Sequence, residues 1–214
     1  VICIYAIVAM GMNILSGYTG MLSLGHQAFF GIGAYAAAVL STRYPGFPFP
    51  VALLIGGSLS AVVGYLLGFS ALRTSGVYLA IATIAFGMIM AEVFGEWASL
   101  TGGQVGLVVP SPAIGPIRFE SATAIYYLTL AVGDVMFFLG IHLISSNTGR
   151  AFIAIRENEI SAQSYGISLV KYKTLSFAVS AFYVGVAGGI YAYLLKYIAP
   201  IDFRLLVGIE FVII

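Results

Sequence analysis

Residues 51–72, 77–97, 122–144 and 174–195 are four long, nearly uncharged apolar stretches, and the segments between them hold most of the charges. A run of about 20 apolar residues crosses the roughly 30 Å hydrocarbon layer as a helix, because only a helix pairs all of its own N–H and C=O groups where water is absent. The pattern therefore predicts an all-α, polytopic bundle of transmembrane helices. Composition points the same way, with 61% of residues hydrophobic and 8% charged, against about 25% charged in a soluble domain.

Several function classes drop out at once. A formal net charge of +1, with no run of basic residues, offers nothing to follow a phosphate backbone, which argues against nucleic-acid binding. The single cysteine, Cys3, sits in an apolar run and reads as a small hydrophobe. His26 and His142 stand far apart, no Cys or His cluster has metal-ligand spacing, and no Gly-x-Ser-x-Gly elbow occurs. The sequence TGGQVG at residues 101–106 lacks the Gly-Lys ending of a phosphate loop, so nucleotide is not expected to bind this chain. No catalytic constellation and no metal set is expected.

Organisation follows from where the apolar runs break. Residues 1–15 read as the remnant of a spanning helix, and with Val1 in place of a start methionine and an apolar run at residues 211–214, the chain is expected to be a fragment truncated at both ends. After MLSLGHQ (residues 21–27), only residues 28–40 are continuously apolar, too few to span unaided. A broken or re-entrant segment is predicted near residues 21–41, facing protein rather than lipid. RYPGFPFP at residues 43–50 then stops any helix. Arg150, Arg156, Lys171 and Lys173 cluster in one polar segment, which marks it as cytoplasmic and places Arg73 inside, with Arg43, Arg118, Lys196 and Arg204 outside. Gly64 with Gly68, and Gly185 with Gly189, fall at the spacing of close helix contacts.

Polar residues in apolar surroundings are the candidates for chemistry. Asp134 lies near mid-span, where a carboxylate needs a partner or a proton; it is either part of a polar pathway or a paired acid between helices. Glu92, Glu96 and Trp97 read as an interfacial group. Residues 17–33, GYTGMLSLGHQAFFGIG, combine hydroxyls, an imidazole, an amide and several glycines. That mixture suits recognition of a small zwitterion by unwound backbone and half-helix ends, and equally suits a tight glycine turn packed on its neighbours. Residues 149–166 read as a short amphipathic helix with Phe152, Ile153, Ile155, Ile160 and Ala162 on its apolar side, either docking a partner or lying flat on the membrane.

Four segments in order, GYTGMLSLGHQAFFGIGAY (residues 17–35), SGVYLAIATIAFG (75–87), LTGGQVGL (100–107) and GRAFIAIRENEISAQSYGISLVKYK (149–173), resemble the permease subunits of bacterial ABC importers for branched-chain amino acids, in the second of the two permease types that pair in that system. The resemblance implies one transmembrane permease domain over residues 1–214, with a cytoplasmic coupling loop at residues 146–172 that is similar to the EAA-type loop of importers. It implies a protein that is not itself an enzyme and carries no cofactor, with ATP-Mg bound on partners. Those partners would be two ATP-binding subunits, a second permease subunit and a periplasmic amino-acid-binding protein, in the inner or plasma membrane of a bacterium or archaeon. In this reading Gly17, Tyr18, Thr19, Ser23, Gly25, His26 and Gln27 line the solute pathway. Thr101, Gly102 and Gly103 belong to it on the outer side, and Arg150, Arg156, Glu157, Asn158, Glu159 and Gly166 form the ATPase-coupling group. A permease for urea or short amides, an ion-coupled secondary transporter using Asp134, and a membrane scaffold remain the competing readings.

Overall fold

The computed structural model describes residues 1–70, 76–114, 117–119, 121–204, 208 and 210–211. Arg73 lies outside the described residues. Helix α1 (Ile2–Met12) widens into a π-helical turn, Asn13–Tyr18. Local hydrogen bonds explain the widening: Thr19 Oγ1 donates to the Ile14 carbonyl at 3.0 Å, five residues back, and Met21 N reaches the Leu15 carbonyl at 3.1 Å, six back. Residues 19–25 then run without helix. Helix α2 (His26–Arg43) follows, and between Phe29 and Ala38 all of its residues are buried except the half-buried Ile32 and Ala36. The expected break near residue 21 is present, and α2 faces protein as the sequence required.

Helices α3 (Phe49–Ser70), α4 (Val77–Glu96), the single turn α5 (Ala98–Thr101), α6 (Ala122–Ser145), α7 (Asn147–Glu157), α8 (Glu159–Ser164) and α9 (Leu169–Leu195) complete the helical part. Of these, α3, α4, the 123–145 part of α6, and α9 are long and apolar enough to cross a membrane. These are the four stretches read from the sequence, shifted by a few residues at their ends.

Helix α9 is the axis of the bundle and packs against α3, α2 and α1. Glycines set that packing. A methyl group on Gly33 would run into the Gly185 carbonyl, and one on Gly188 into the Phe30 carbonyl. One on Gly64 would lie 2.8 Å from the Phe177 carbonyl oxygen, one on Gly68 2.6 Å from Thr174 Cα, and one on Gly189 2.6 Å from the Leu53 side chain. Lipid tails are as apolar as leucine, so helices hold together by backbone approach and by interhelical hydrogen bonds rather than by hydrophobic force. Ser60 Oγ of α3 supplies one such bond, to the Phe29 carbonyl of α2 at 3.0 Å. All four glycines picked out by spacing sit at helix contacts.

Short strands close the end opposite α7 and α8. Here β1 (Leu107–Val108) pairs antiparallel with β4 (Tyr197–Ile198), and β2 (Ala113–Ile114) with β3 (Ile117–Arg118). Arg43 Nη2 donates to the Ser99 carbonyl at the same end, at 2.9 Å. The sequence reading had no strands, because two-residue strands leave no alternation to detect.

Two further expectations need correction. Residues 149–166 are not one helix: Asn158 takes an extended conformation (φ −162°, ψ 111°) and splits them into α7 and α8. Its side chain caps α8, accepting from Ser161 N at 2.9 Å, which satisfies an orphan donor that a continuous helix would have bonded internally. Of the supposed apolar side, Phe152, Ile155 and Ala162 are buried, whereas Ile153 and Ile160 are exposed. The helix register rotates at the break. Asp134 lies on an exposed face of α6 and makes no ion pair among the described residues. Glu92, Glu96 and Trp97 are exposed at the end of α4.

Candidate functional site

The polar residues of the 17–27 segment lie where the chain stops being helical and starts again. Gly25 precedes α2 and abuts the backbone of Thr83 in α4, where no side chain would fit. Thr83 Oγ1 accepts from Leu24 N at 3.0 Å, which accounts for one backbone donor of the non-helical crossing. Thr19, Ser23, His26 and Gln27 are all buried, and Tyr18 is half-buried.

Their hydrogen bonding is incomplete. Thr19 is used internally, and His26 Nε2 shares a 2.8 Å hydrogen bond with Ser180 Oγ of α9. Among the described residues, Ser23 Oγ, His26 Nδ1 and both amide atoms of Gln27 are buried without a partner. The Gln27 side chain is wedged between Gly87 of α4 and Gly208, each of which leaves room only because it lacks a Cβ. A buried donor or acceptor left unmade costs about 1–3 kcal/mol, so this cluster is held against a penalty. Those atoms stand beside the first turn of α2, whose backbone N–H groups carry the positive end of the helix dipole. The chemistry fits a small solute carrying both a carboxylate and a hydrogen-bond donor.

Thr101, Gly102 and Gly103 do not join this cluster. They lie farther along α2, where Thr101 lines a cavity with Tyr35, Ala36, Val39 and Leu40, several helical turns beyond His26. Thr101 Oγ1 donates to the Phe94 and Trp97 carbonyls at 2.7 and 2.8 Å and accepts from Gly103 N at 3.2 Å, so its hydroxyl is spent on the local turn. Gly102 and Gly103 take φ of 75° and 61°, the left-handed region where glycine is favoured.

The loop residues divide by direction. Arg150 bonds Asn147 on its own helix. Asn158 caps α8, Glu157 is exposed, and Gly166 turns with φ 80°. Glu159 Oε1 pairs with Lys173 Nζ of α9 at 2.7 Å, and the lysine side chain is only 6% exposed. Arg156 points the other way, toward the membrane segment, where its Nη1 donates to the Gly17 carbonyl at 2.5 Å. The two groups predicted separately, at residues 17–27 and 150–166, thus meet through one side chain.

Sequence reading did not single out Thr83 and Ser180, which hold the crossing segment, and it placed Lys173 in the basic cluster without its partner Glu159. Hydroxyls inside spanning runs were the available signal, since polar groups in a membrane span have to find partners. Among the described residues no group of His, Cys, Asp and Glu could hold a metal ion.

A buried helix entered through a non-helical break and set among long apolar spans defines a multi-pass membrane protein with a polar interruption inside it. The chain belongs to the family described as the branched-chain amino acid transport system permease component, which matches residues 1–214. It is 33% identical, over 94% of its length, to the high-affinity branched-chain amino acid transport system permease protein LivM of Salmonella typhimurium and, at the same level, to that of Escherichia coli. The chain spans about half the length of these relatives, 52% of each. It is also 28% identical, over 82% of the chain and 55% of the relative, to a putative glucose ABC transporter permease protein of Haloferax volcanii. No solved structure matches it at a significant level.

Proposed function

We propose that this chain forms the solute-conducting part of an ATP-driven importer that carries branched-chain amino acids across the inner membrane. The observation that carries this reading is the non-helical crossing at residues 19–25, followed by a buried helix, where Ser23 of the crossing and His26 and Gln27 of the helix's first turn keep polar atoms unpaired among the described residues. In lipid such a break is tolerated only where protein or a watery cavity surrounds it, and broken helices are how transporters offer backbone dipoles to a solute. Gly17, Tyr18, Thr19, Ser23, Gly25, His26 and Gln27 line the path on this reading, with Thr101, Gly102 and Gly103 shaping its outer mouth. The chain holds no nucleotide and does no chemistry of its own; ATP-Mg acts on two partner subunits. A second permease subunit and a periplasmic amino-acid-binding protein complete the assembly.

The α7–α8 unit supplies the grip for those ATPase subunits. Ile160 and Tyr165 are 79% and 87% exposed at an end of the bundle that carries Arg150 and Glu157, an apolar and charged mixture suited to a protein partner. Gly166, at φ 80°, gives the loop its turn, and a bulky residue there strains the backbone. The test is reconstitution of the full-length permease with its partners, measuring labelled leucine uptake against excess isoleucine, valine, urea or ribose. Competition by the two branched amino acids alone, with strict dependence on ATP, supports the reading. Uptake that survives removal of the ATPase subunits and collapses with the proton gradient overturns it in favour of an ion-coupled carrier.

A further inference from the structure

We infer that Arg156 is the positioning residue through which movement of the α7–α8 unit reaches the broken crossing at residues 19–25. The inference rests on the importer reading and names the physical link inside it. Arg156 and Gly17 lie 139 residues apart in sequence, yet the guanidinium donates to the Gly17 carbonyl at 2.5 Å. Gly17 sits one residue before the end of the π-helical turn, where the last carbonyls have no partner within the helix and the dipole is negative. A cation with a rigid fork of donors is the side chain that fits there.

A second contact fixes the stem of the same side chain. Gly20 takes φ 74°, and a Cβ on it would lie 3.1 Å from Arg156 Cγ and 3.6 Å from Arg156 Cβ. The first non-helical turn is thus folded over the arginine stem while the arginine head caps the helix before it. A π turn is a short, weakly favoured form that recurs at functional sites, so the element under the arginine is one that rearranges at small cost.

The loop has a separate tether. Glu159 holds α8 to the buried Lys173 of α9, the axis of the bundle, so docking and transmission use different side chains. A tilt of α7 and α8 about the Glu159–Lys173 pair moves Arg156, and with it Gly17 and Gly20, relative to α9. Ser23, His26 and Gln27 follow within one short segment.

The experiment uses the assembled full-length transporter with Arg156→Ala, Arg156→Lys and Gly20→Ala. Arg156→Ala should leave copurification of the ATPase subunits within about twofold of the parent. It should lower the maximal uptake rate by about tenfold or more at unchanged KM, the size a charge-assisted hydrogen bond sets. Arg156→Lys, which keeps the charge without the fork, should restore part of that rate. Gly20→Ala, which presses on the arginine stem from the crossing side, should reproduce the uncoupling with the loop sequence unchanged, and it keeps the test open if Arg156→Ala fails to fold. Separately, Ser23→Cys in a Cys3→Ser background should label with a maleimide about fivefold faster when Arg156 is alanine, the change expected when about 1 kcal/mol of local order is lost. Loss of ATPase copurification in Arg156→Ala would make the residue part of the docking surface and overturn the inference, as would unchanged labelling. If the parent moves no solute with ATP, the importer reading fails, while the labelling arm still judges the link.

Discussion

Replacing Gly33 with alanine should force α2 away from α9, whereas the same change at Gly133 should do no harm. A methyl group on Gly33 would run into the Gly185 carbonyl and lie 2.6 Å from Gly185 Cα. Both are backbone atoms, so no rotamer change makes room. Ordinary carbon contact is at about 3.5 Å, so the helices must part by at least about 0.9 Å to clear Gly185 Cα at 2.6 Å, and by more to clear the nearer carbonyl. A gap of that size forfeits about a quarter to a half of each contact's attraction, and over some 40 atom pairs at ~0.15 kcal/mol the loss is about 1.5–3 kcal/mol. Overpacking costs of about 1–3 kcal/mol agree with it. Lipid returns nothing, because no hydrophobic force pulls helices back together. At Gly133 of α6 a methyl group meets nothing within 4 Å among the described residues, and a helical Gly→Ala change there should gain about 0.5–1 kcal/mol. Thermal melts of the purified protein in detergent, followed by loss of monodispersity, read both. At about 2–4 °C per kcal/mol, Gly33→Ala should melt about 5–10 °C lower and Gly133→Ala level with the parent or slightly above it. A Gly33→Ala protein within about 2 °C of the parent would refute the packing argument, and so would an equal fall in Gly133→Ala.

Gln27→Met removes a buried amide with neither atom paired among the described residues, so it should raise the melting temperature by the equivalent of about 1–3 kcal/mol while abolishing solute uptake. A lower melting temperature in that variant contradicts the unmade-bond assignment. Tyr183→Phe deletes the 2.9 Å bond from the Tyr183 hydroxyl to the Met136 carbonyl, which ties α9 to α6. Interhelical bonds in lipid average about 0.6 kcal/mol, so the melt should fall by only about 2 °C, and a much larger fall would mean that α6 hangs on that bond. Asn158→Ala strips the cap from α8 at a cost of about 1 kcal/mol. Cleavage of residues 158–166 by a dilute protease should then speed up about fivefold, and an unchanged rate would show that the cap carries no weight.

Much of the architecture was open to reading because lipid imposes one rule on every stretch of chain within it. Long uncharged runs have to be helices, and the 28–40 run was too short to be an ordinary one. That shortfall identified the break before α2 and its inward-facing placement. The four glycines at Gly64, Gly68, Gly185 and Gly189 were also legible, because a fixed spacing on a helix fixes a shared face. Family resemblance suggested the roles proposed above for the loop and the crossing segment.

What the order of residues left open was which distant groups meet. Nothing local ties Arg156 to Gly17, Thr83 to Leu24, Ser180 to His26, or Lys173 to Glu159. Those pairings exist because α9 stands at the centre and brings α2 and the α7–α8 unit around it, while α4 packs against α2. The split at Asn158 was hidden as well, since an extended residue between two helical turns pays off only when Glu159 finds its lysine on another helix. Spans and their breaks are set by each segment's own free energy in lipid, so the chain alone decides them. Partners across the bundle are set by packing among segments, and only the folded arrangement decides those.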